Sequence, residues 1–525
     1  MEDFTPAERA RLAPHFSNVD GPVFALVGLP ETVKAAMFAR YSRYPGTLRR
    51  LFLDEFADSL PEGALAGTDV EGSRASELFE RVFVGYGDDS VAQLGGAHIA
   101  CEWVSNVLTK ILQRPRLAGY LEQSTRYIAY DAPMPGGGYR YYRDQSLGPE
   151  YAASMDFLFD TYAESLPRVS AWVDSTFPAT PGESEAVRRR AVKAKALDLL
   201  RGLLPAASLS HMGIYASGQA YEQLILHLLA HPLPEARNCG ERMLEAVKAL
   251  MPSFVARVER CGRGDVWIDH LSERREAERR WSSRLGLDRD VEPQQHSSVR
   301  LQHIDGDEDR LLAALLFEAA GVPEDRVLET VYALDVKERA RMLADLVGAR
   351  SNRRHRPGRG FEALRYRFEI VSDYGAFRDL QRHRMLTVQW QPLTPYLGAE
   401  VPEEVAQAGC GDAYERALDR SRAEYERLRD AGLAEAAPYA LCLGYRIRYV
   451  LDLNAREAMH LCELRSAREG HAGYRAVAQA MHTAIAEHHP AVAAAMKHVD
   501  HTTEPRLERI LAEIRGESRR AQLTA

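Results

Sequence analysis

The sequence predicts a helix-rich α+β fold in two related halves, and three observations carry that prediction. An arginine motif occurs twice. Gln113-Arg114-Pro115-Arg116 runs into Tyr120-Leu121-Glu122-Gln123-Ser124-Thr125-Arg126-Tyr127, and Gln381-Arg382-His383-Arg384 runs into Trp390-Gln391-Pro392-Leu393-Thr394-Pro395-Tyr396. Each copy passes from short mixed elements into long stretches of helical periodicity, one architecture repeated at a period far longer than a solenoid's. A strongly charged run from Ser272 to Val291 separates the copies and reads as a solvated helix or linker. The expected division is a first domain over 1–271, a charged linker over 272–295 and a second domain over 296–525.

In chain order, apolar spacing predicts helix from about Pro30 to Asp58, where Phe38, Tyr41, Leu48, Leu51, Phe52 and Phe56 can share a face. Gly85 to Ser90 reads as a loop, Val91 to Ile111 as helix, and Pro133 to Gly138 as a loop. Long amphipathic helices are expected at Glu183–Leu204, Gln219–Ala230 and Leu233–Val258. In the second half, Val299–Ile304 and Tyr366–Val371 alternate as strands do. Helix is expected at Asp412–Arg429, Gly444–Arg465, Tyr474–Glu487 and Glu504–Glu517.

Composition narrows the function classes. At 525 residues the chain is long enough for two or three domains, and 46% hydrophobic with 27% charged residues is a soluble globular balance. No apolar run approaches the ~20 residues of a membrane span. Met1-Glu2-Asp3-Phe4 lacks the start of a signal peptide. Six cysteines without a Cys-x-x-Cys pair read as reduced thiols in a cytoplasmic protein, not a disulfide framework or zinc site. The histidines near the C-terminus are spaced too irregularly for a metal site, so no metal is expected. A net charge of −8 argues against a nucleic-acid partner. No dinucleotide-fold or P-loop glycine motif is present.

The second copy of the motif is followed by Asn454-Ala455-Arg456-Glu457-Ala458-Met459-His460-Leu461-Cys462-Glu463-Leu464-Arg465, and Glu362 lies twenty residues before Arg382. Together these resemble the flavin-dependent thymidylate synthase family, whose signature is Arg-His-Arg followed later by a helix reading Asn-x-Arg-x-x-x-(Asn/His)-x-x-x-Leu-Arg. The resemblance implies two tandem domains of that type, each an antiparallel sheet with long helices. It also implies an FAD enzyme that methylates dUMP to dTMP with methylenetetrahydrofolate and NADPH.

By resemblance, Arg382, His383 and Arg384 contact flavin and nucleotide, Glu362, Asn454, Arg456 and His460 contact flavin, and Arg465 grips the uracil. His383 and Arg465 are the catalytic candidates. The second half departs from the pattern in the nucleotide loop. Pro392 stands at the serine position, Thr394 at the arginine position, Pro438 near an expected phosphate-binding arginine, and Asp379 where a glutamine is usual. The first half keeps those parts. Glu122, Ser124, Thr125 and Arg126 resemble the nucleotide loop, Arg201 the phosphate-binding arginine and Ser90 a hydroxyl of the flavin loop, but Pro115 replaces the histidine and Leu228 the uracil-gripping arginine.

A site composed from both halves is therefore expected, with arginine forks suited to phosphate. Ser124 is assigned to binding, because the implied mechanism needs no enzymic nucleophile. Family members are tetramers, so the resemblance implies a homodimer forming a four-domain pseudo-tetramer. A second Arg-His-Arg, at Arg354-His355-Arg356, reads as a surface cluster.

Overall fold

A computed structural model describes residues 3–20, 24, 26–41, 44, 46–59, 91–134, 136–288 and 296–524. The fold is α+β and helix-rich, with two antiparallel sheets. The chain forms two compact units that are not its two halves in sequence. The first comprises 1–104, 108–123 and 210–290; the second comprises 105–107, 124–209 and 291–525.

The first unit holds nearly all of a three-stranded sheet of β1 (Gly96–Ser105), β2 (Ala118–Glu122) and β3 (Leu209–Ser217), in the order β1-β3-β2. Strand β2 runs antiparallel to β3 with Tyr120 opposite Ile214. Ser217 ends β3 and caps the Gly218–Leu229 helix by accepting from Ala220 N–H. Buried Tyr221 on that helix donates to the carbonyls of Ala97 or Ile214, at 3.1 and 3.0 Å, and so ties helix to sheet. Gly218 sits where a Cβ would collide with the Phe254 ring, so the close approach requires glycine.

Three expectations here are corrected. Within Val91 to Ile111, Gly96–Ser105 is strand, because the Gly95-Gly96 pair breaks the helix and Ile99, Trp103 and Val104 suit β1, and the expected helix begins only at Asn106. The 30–58 stretch divides into Glu31–Tyr41, Leu48–Leu51 and a wider coil at Phe52–Phe56. Helix also ends at Lys248, ahead of Pro252. Of the charged run, residues 272–284 belong to the Gly264–Arg284 helix, whose side chains are mostly exposed. The Gly85–Ser90 loop lies outside the described residues.

The second unit is built on a four-stranded antiparallel sheet in the order β4-β5-β7-β6: β4 (Ser298–Asp305), β5 (Arg365–Asp373), β6 (Leu386–Trp390) and β7 (Arg446–Asn454). The alternation at 299–304 and 366–371 gives β4 and β5 as expected. Residues 446–454, expected as helix, form β7, because Ile447, Tyr449, Leu451 and Leu453 alternate inward with a period of two. A 29-residue helix, Gly148–Thr176, was not expected from a sequence carrying Pro167 in its interior. It packs against Gly411–Asp430.

A local twofold relation is visible inside this unit. Gly444 N–H donates to Gly202 O at 2.9 Å, and Ala207 N–H to Tyr439 O at 3.0 Å. Leu443 N–H donates to Leu204 O at 2.9 Å, and Ala206 N–H to Leu441 O at 2.7 Å. The residue correspondence 202→439, 204→441, 206→443 and 207→444 turns each bond into its mate. These two segments were the counterparts expected from the repeated motif, and they pair as an isologous contact pairs.

Candidate functional site

Two strand ends aim the second motif. Asp373 closes β5 and caps the Tyr374–Leu380 helix, accepting from Ala376 N–H at 2.8 Å, and this helix delivers Asp379, Arg382 and His383. Asn454 closes β7 and caps the Ala455–Arg465 helix, accepting from Glu457 N–H at 2.9 Å. On that helix Glu457, His460, Leu464 and Arg465 fall on one face by the i, i+3, i+7 rule.

His383 is fixed at both nitrogens. Its Nδ1 lies 2.6 Å from Glu457 Oε1, and its Nε2 accepts from Arg465 Nε at 3.0 Å. The acceptor role at Nε2 places the proton on Nδ1, which donates to the carboxylate. Burial first, then the surrounding Arg465, Arg356, Arg384 and Arg382, hold the imidazole well below its usual range, so it is neutral at pH 7. Burial raises the Glu457 carboxyl, and burial also lowers His460 to about 4. A neutral histidine is thereby made the acceptor that orients Arg465. A cavity of about 230 Å³ opens here, lined by Arg356, Arg382, Arg384, Arg465, His383 and His460 among others.

His383, Glu457 and His460 bring three donor atoms within 4.8 Å of one another. Both ring nitrogens of His383 are committed to hydrogen bonds, Nδ1 to Glu457 and Nε2 to Arg465. The guanidinium groups around the cavity favour an anion instead.

Arginines from the first half stand in the same unit. Arg126 forms a bidentate pair with Asp198 at 2.7 Å on both oxygens, and its third nitrogen donates to Tyr474 Oη at 2.7 Å. Tyr474 also lies under Arg465, whose guanidinium carbon is 5.6 Å from the ring centroid. Arg201, 4% exposed, contacts Asp379 at 3.3 Å and Asp373 at 3.5 Å, and Arg382 reaches the other oxygen of Asp379 at 2.9 Å. Gly375 and Gly473 permit this packing, since a Cβ on either would press on Arg201 or Asp373.

Burial works to raise Asp379, but Arg382, Arg201, Arg465 and Arg126 hold it well below the ordinary carboxylate range. Asp373, with less compensation, is raised by burial. Arg201 and Asp373 also line a larger cavity of about 690 Å³, with Tyr414, Arg446 and His471.

The structure thus brings Arg126, Arg201, Arg382, His383, His460 and Arg465 into one unit. Ser124 accepts from Arg126 N–H at 3.2 Å in a local turn beside buried Thr125. Arg384 lines the smaller cavity, and exposed Arg356 of the surface cluster joins it. Asn454, Arg456 and Glu362 form a group at the helix start, where Arg456 lies 3.6 Å from Glu362 and donates to Pro357 O at 3.0 Å. Glu122 belongs to the first unit, where it is buried with Lys110 at 3.1 Å and Gln113 at 2.9 Å. Ser90 lies outside the described residues. Asp198, Asp373, Glu457 and Tyr474 were not anticipated. Of these, only Glu457 left a signal, the helical face it shares with His460 and Arg465.

An α+β protein with a duplicated arginine motif and an anion-favouring pocket is the class these features define. Residues 33–253 and 325–491 each match the family described as thymidylate synthase complementing protein, and the chain belongs to that family. The two matched stretches fit a tandem duplication. It is similar to a UPF0159 protein of Chlamydia muridarum, 36% identical over 533 residues covering 99% of this chain and 98% of that one. A UPF0159 protein of Thermoplasma acidophilum is 29% identical over 513 residues, covering 92% and 98%. Among solved structures, a UMP/dUMP methylase PolB from Streptomyces cacaoi matches 41% of this chain and 100% of its own, at 20% identity and a TM-score of 0.33.

Proposed function

We propose that the chain is an FAD-dependent thymidylate synthase that reductively methylates dUMP to dTMP, with methylenetetrahydrofolate and NADPH as co-substrates. Its active site draws on both sequence halves. The observation that carries this reading is Tyr474, which holds Arg126 of the first half at its hydroxyl and Arg465 of the second over its ring. Arg126, Arg201, Ser124 and Thr125 bind phosphate and sugar, with Arg382 beside them. Arg465, oriented by His383, faces the pyrimidine carbonyl edge and stabilises charge developing on the ring as C5 becomes nucleophilic.

Arg382, Arg384, His383 and His460 fit an anionic reduced flavin, and the cavity of about 230 Å³ admits part of the dinucleotide, with Glu362, Asn454 and Arg456 serving the remainder. When bound, the flavin supplies the hydride. Two chains form a four-domain assembly in the cytoplasm; among the described residues no helix is long and apolar enough to cross a membrane.

The test is flavin content of the purified protein, followed by tritium release from C5-labelled deoxyuridylate dependent on folate and NADPH. Arg465→Ala and Arg126→Ala should each abolish dUMP binding, and loss in only one of them overturns the composite site. A second reading, a nucleotide-binding scaffold without turnover, is favoured by the aspartates already paired with Arg126, Arg201 and Arg382. Absence of flavin and of tritium release would select it.

A further inference from the structure

The arginines suited to phosphate are not free cations. Asp379, 8% exposed, gives one carboxylate oxygen to Arg201 at 3.3 Å and the other to Arg382 at 2.9 Å. Asp373 stands 3.5 Å from Arg201 on another side. Arg201 also lines the cavity of about 690 Å³, so the guanidinium held by Asp379 and Asp373 is within reach of a ligand there.

We infer that Asp379 is a specificity-determining residue: its carboxylate holds the guanidinium groups of Arg201 and Arg382 that an incoming phosphate would use. A phosphate therefore binds only by displacing or repelling that carboxylate. The inference takes from the proposed function only that the ligand carries a phosphate.

A dianion brought to Arg201 would stand close to the carboxylates of both Asp379 and Asp373. Like charges at that range, in a partly buried setting, oppose each other by an amount comparable to a charge-assisted hydrogen bond. An amide at position 379 keeps the shape and removes the charge. It also leaves Arg201 and Arg382 as net cations.

The experiment is calorimetric titration of inorganic phosphate into the full-length protein, its Asp379→Asn and Asp379→Gln variants, and Arg382→Gln. Each is checked by thermal unfolding. Phosphate should bind at least one amide variant ten or more times as tightly as the wild type, and Asp379→Asn/Arg382→Gln should lose that gain. Equal affinity in a folded amide variant overturns the inference. Should neither amide variant fold, Asp379→Ala takes their place, with the same tenfold gain expected and equal affinity overturning the inference. Arg382→Gln alone should weaken phosphate, because it leaves the Asp379 charge less compensated, and a gain there also overturns the inference.

Parallel titrations with dUMP and deoxyuridine separate this result from the proposed function. A gain for inorganic phosphate with no binding of either pyrimidine leaves the role of Asp379 standing and removes the thymidylate synthase reading. A gain for neither phosphate nor dUMP removes the role of Asp379.

Discussion

Replacing Asp198 by alanine should be among the most destabilising single substitutions in the second unit. Its carboxylate makes two 2.7 Å bonds to Arg126 and lies 3.4 Å from Arg509, and all three side chains are nearly buried. A charge-assisted hydrogen bond contributes ~1.5–3 kcal/mol. Removing one partner of a buried pair leaves an uncompensated charge and costs about 3–5 kcal/mol. For a block of this size that corresponds to a fall in Tm of about 4–7 °C.

Calorimetry and denaturant titration at pH 7 measure both quantities. Burial pushes the Asp198 carboxyl up, but Arg126, His471 and Arg509 prevail and hold it below its ordinary value. A depressed carboxylate stabilises above the unfolded pKa near 4 and loses that contribution as pH falls through the folded one. The gap between wild type and Asp198→Ala should therefore narrow below about pH 4. In Asp198→Leu/Arg126→Met, where both partners become apolar, at least about 1.5 kcal/mol should return. A cost for Asp198→Ala under about 1 kcal/mol, or strict additivity in the double variant, would refute the reasoning.

Three other outcomes follow from the same physics. Glu122→Ala should cost about 3–5 kcal/mol by stranding buried Lys110 in the first unit, and Lys110→Met/Glu122→Met should recover most of it in denaturant titration. His460, lowered to about 4, and His383, held well below its usual range by burial, are neutral when folded, so the stability they protect declines as pH falls below about 6.5; His460→Gln should flatten that slope. Nitrogen NMR of labelled histidine should find the His383 proton on Nδ1 in the wild type and on Nε2 in Glu457→Gln if the amide donates, with loss of the Arg465 contact.

Residues that belong to a motif were legible in the sequence, and residues that only answer a motif's charge were not. Arg126, Arg201, Arg382, His383 and Arg465 could be named because their neighbours repeat a known order. Asp198 and Asp373 sit in no such order, and their roles arise when a helix end and a strand end are folded against arginines 72 and 172 residues away in sequence. Asp379 was noticed as a departure, but its pairing with Arg201 depends on tertiary packing. Secondary structure divided in the same way. Period-two alternation exposed β4 and β5, while β7 was read as helix because it runs straight into one through Asn454. The division into compact units differs from the sequence halves because residues 124–209 pack with the C-terminal elements.

The exchanged bonds between 202–207 and 439–444 have a consequence for how the sequence can drift. In a symmetric homodimer a substitution near the dyad is expressed on both sides and its cost is counted twice. Here the dyad is closed inside one polypeptide, so a substitution such as Pro438, at the position that corresponds to Arg201, alters one side alone. Dilution cannot separate the partners, and neither side can re-pair with its own kind. Complementary decay of two copies is the course such an arrangement leaves open.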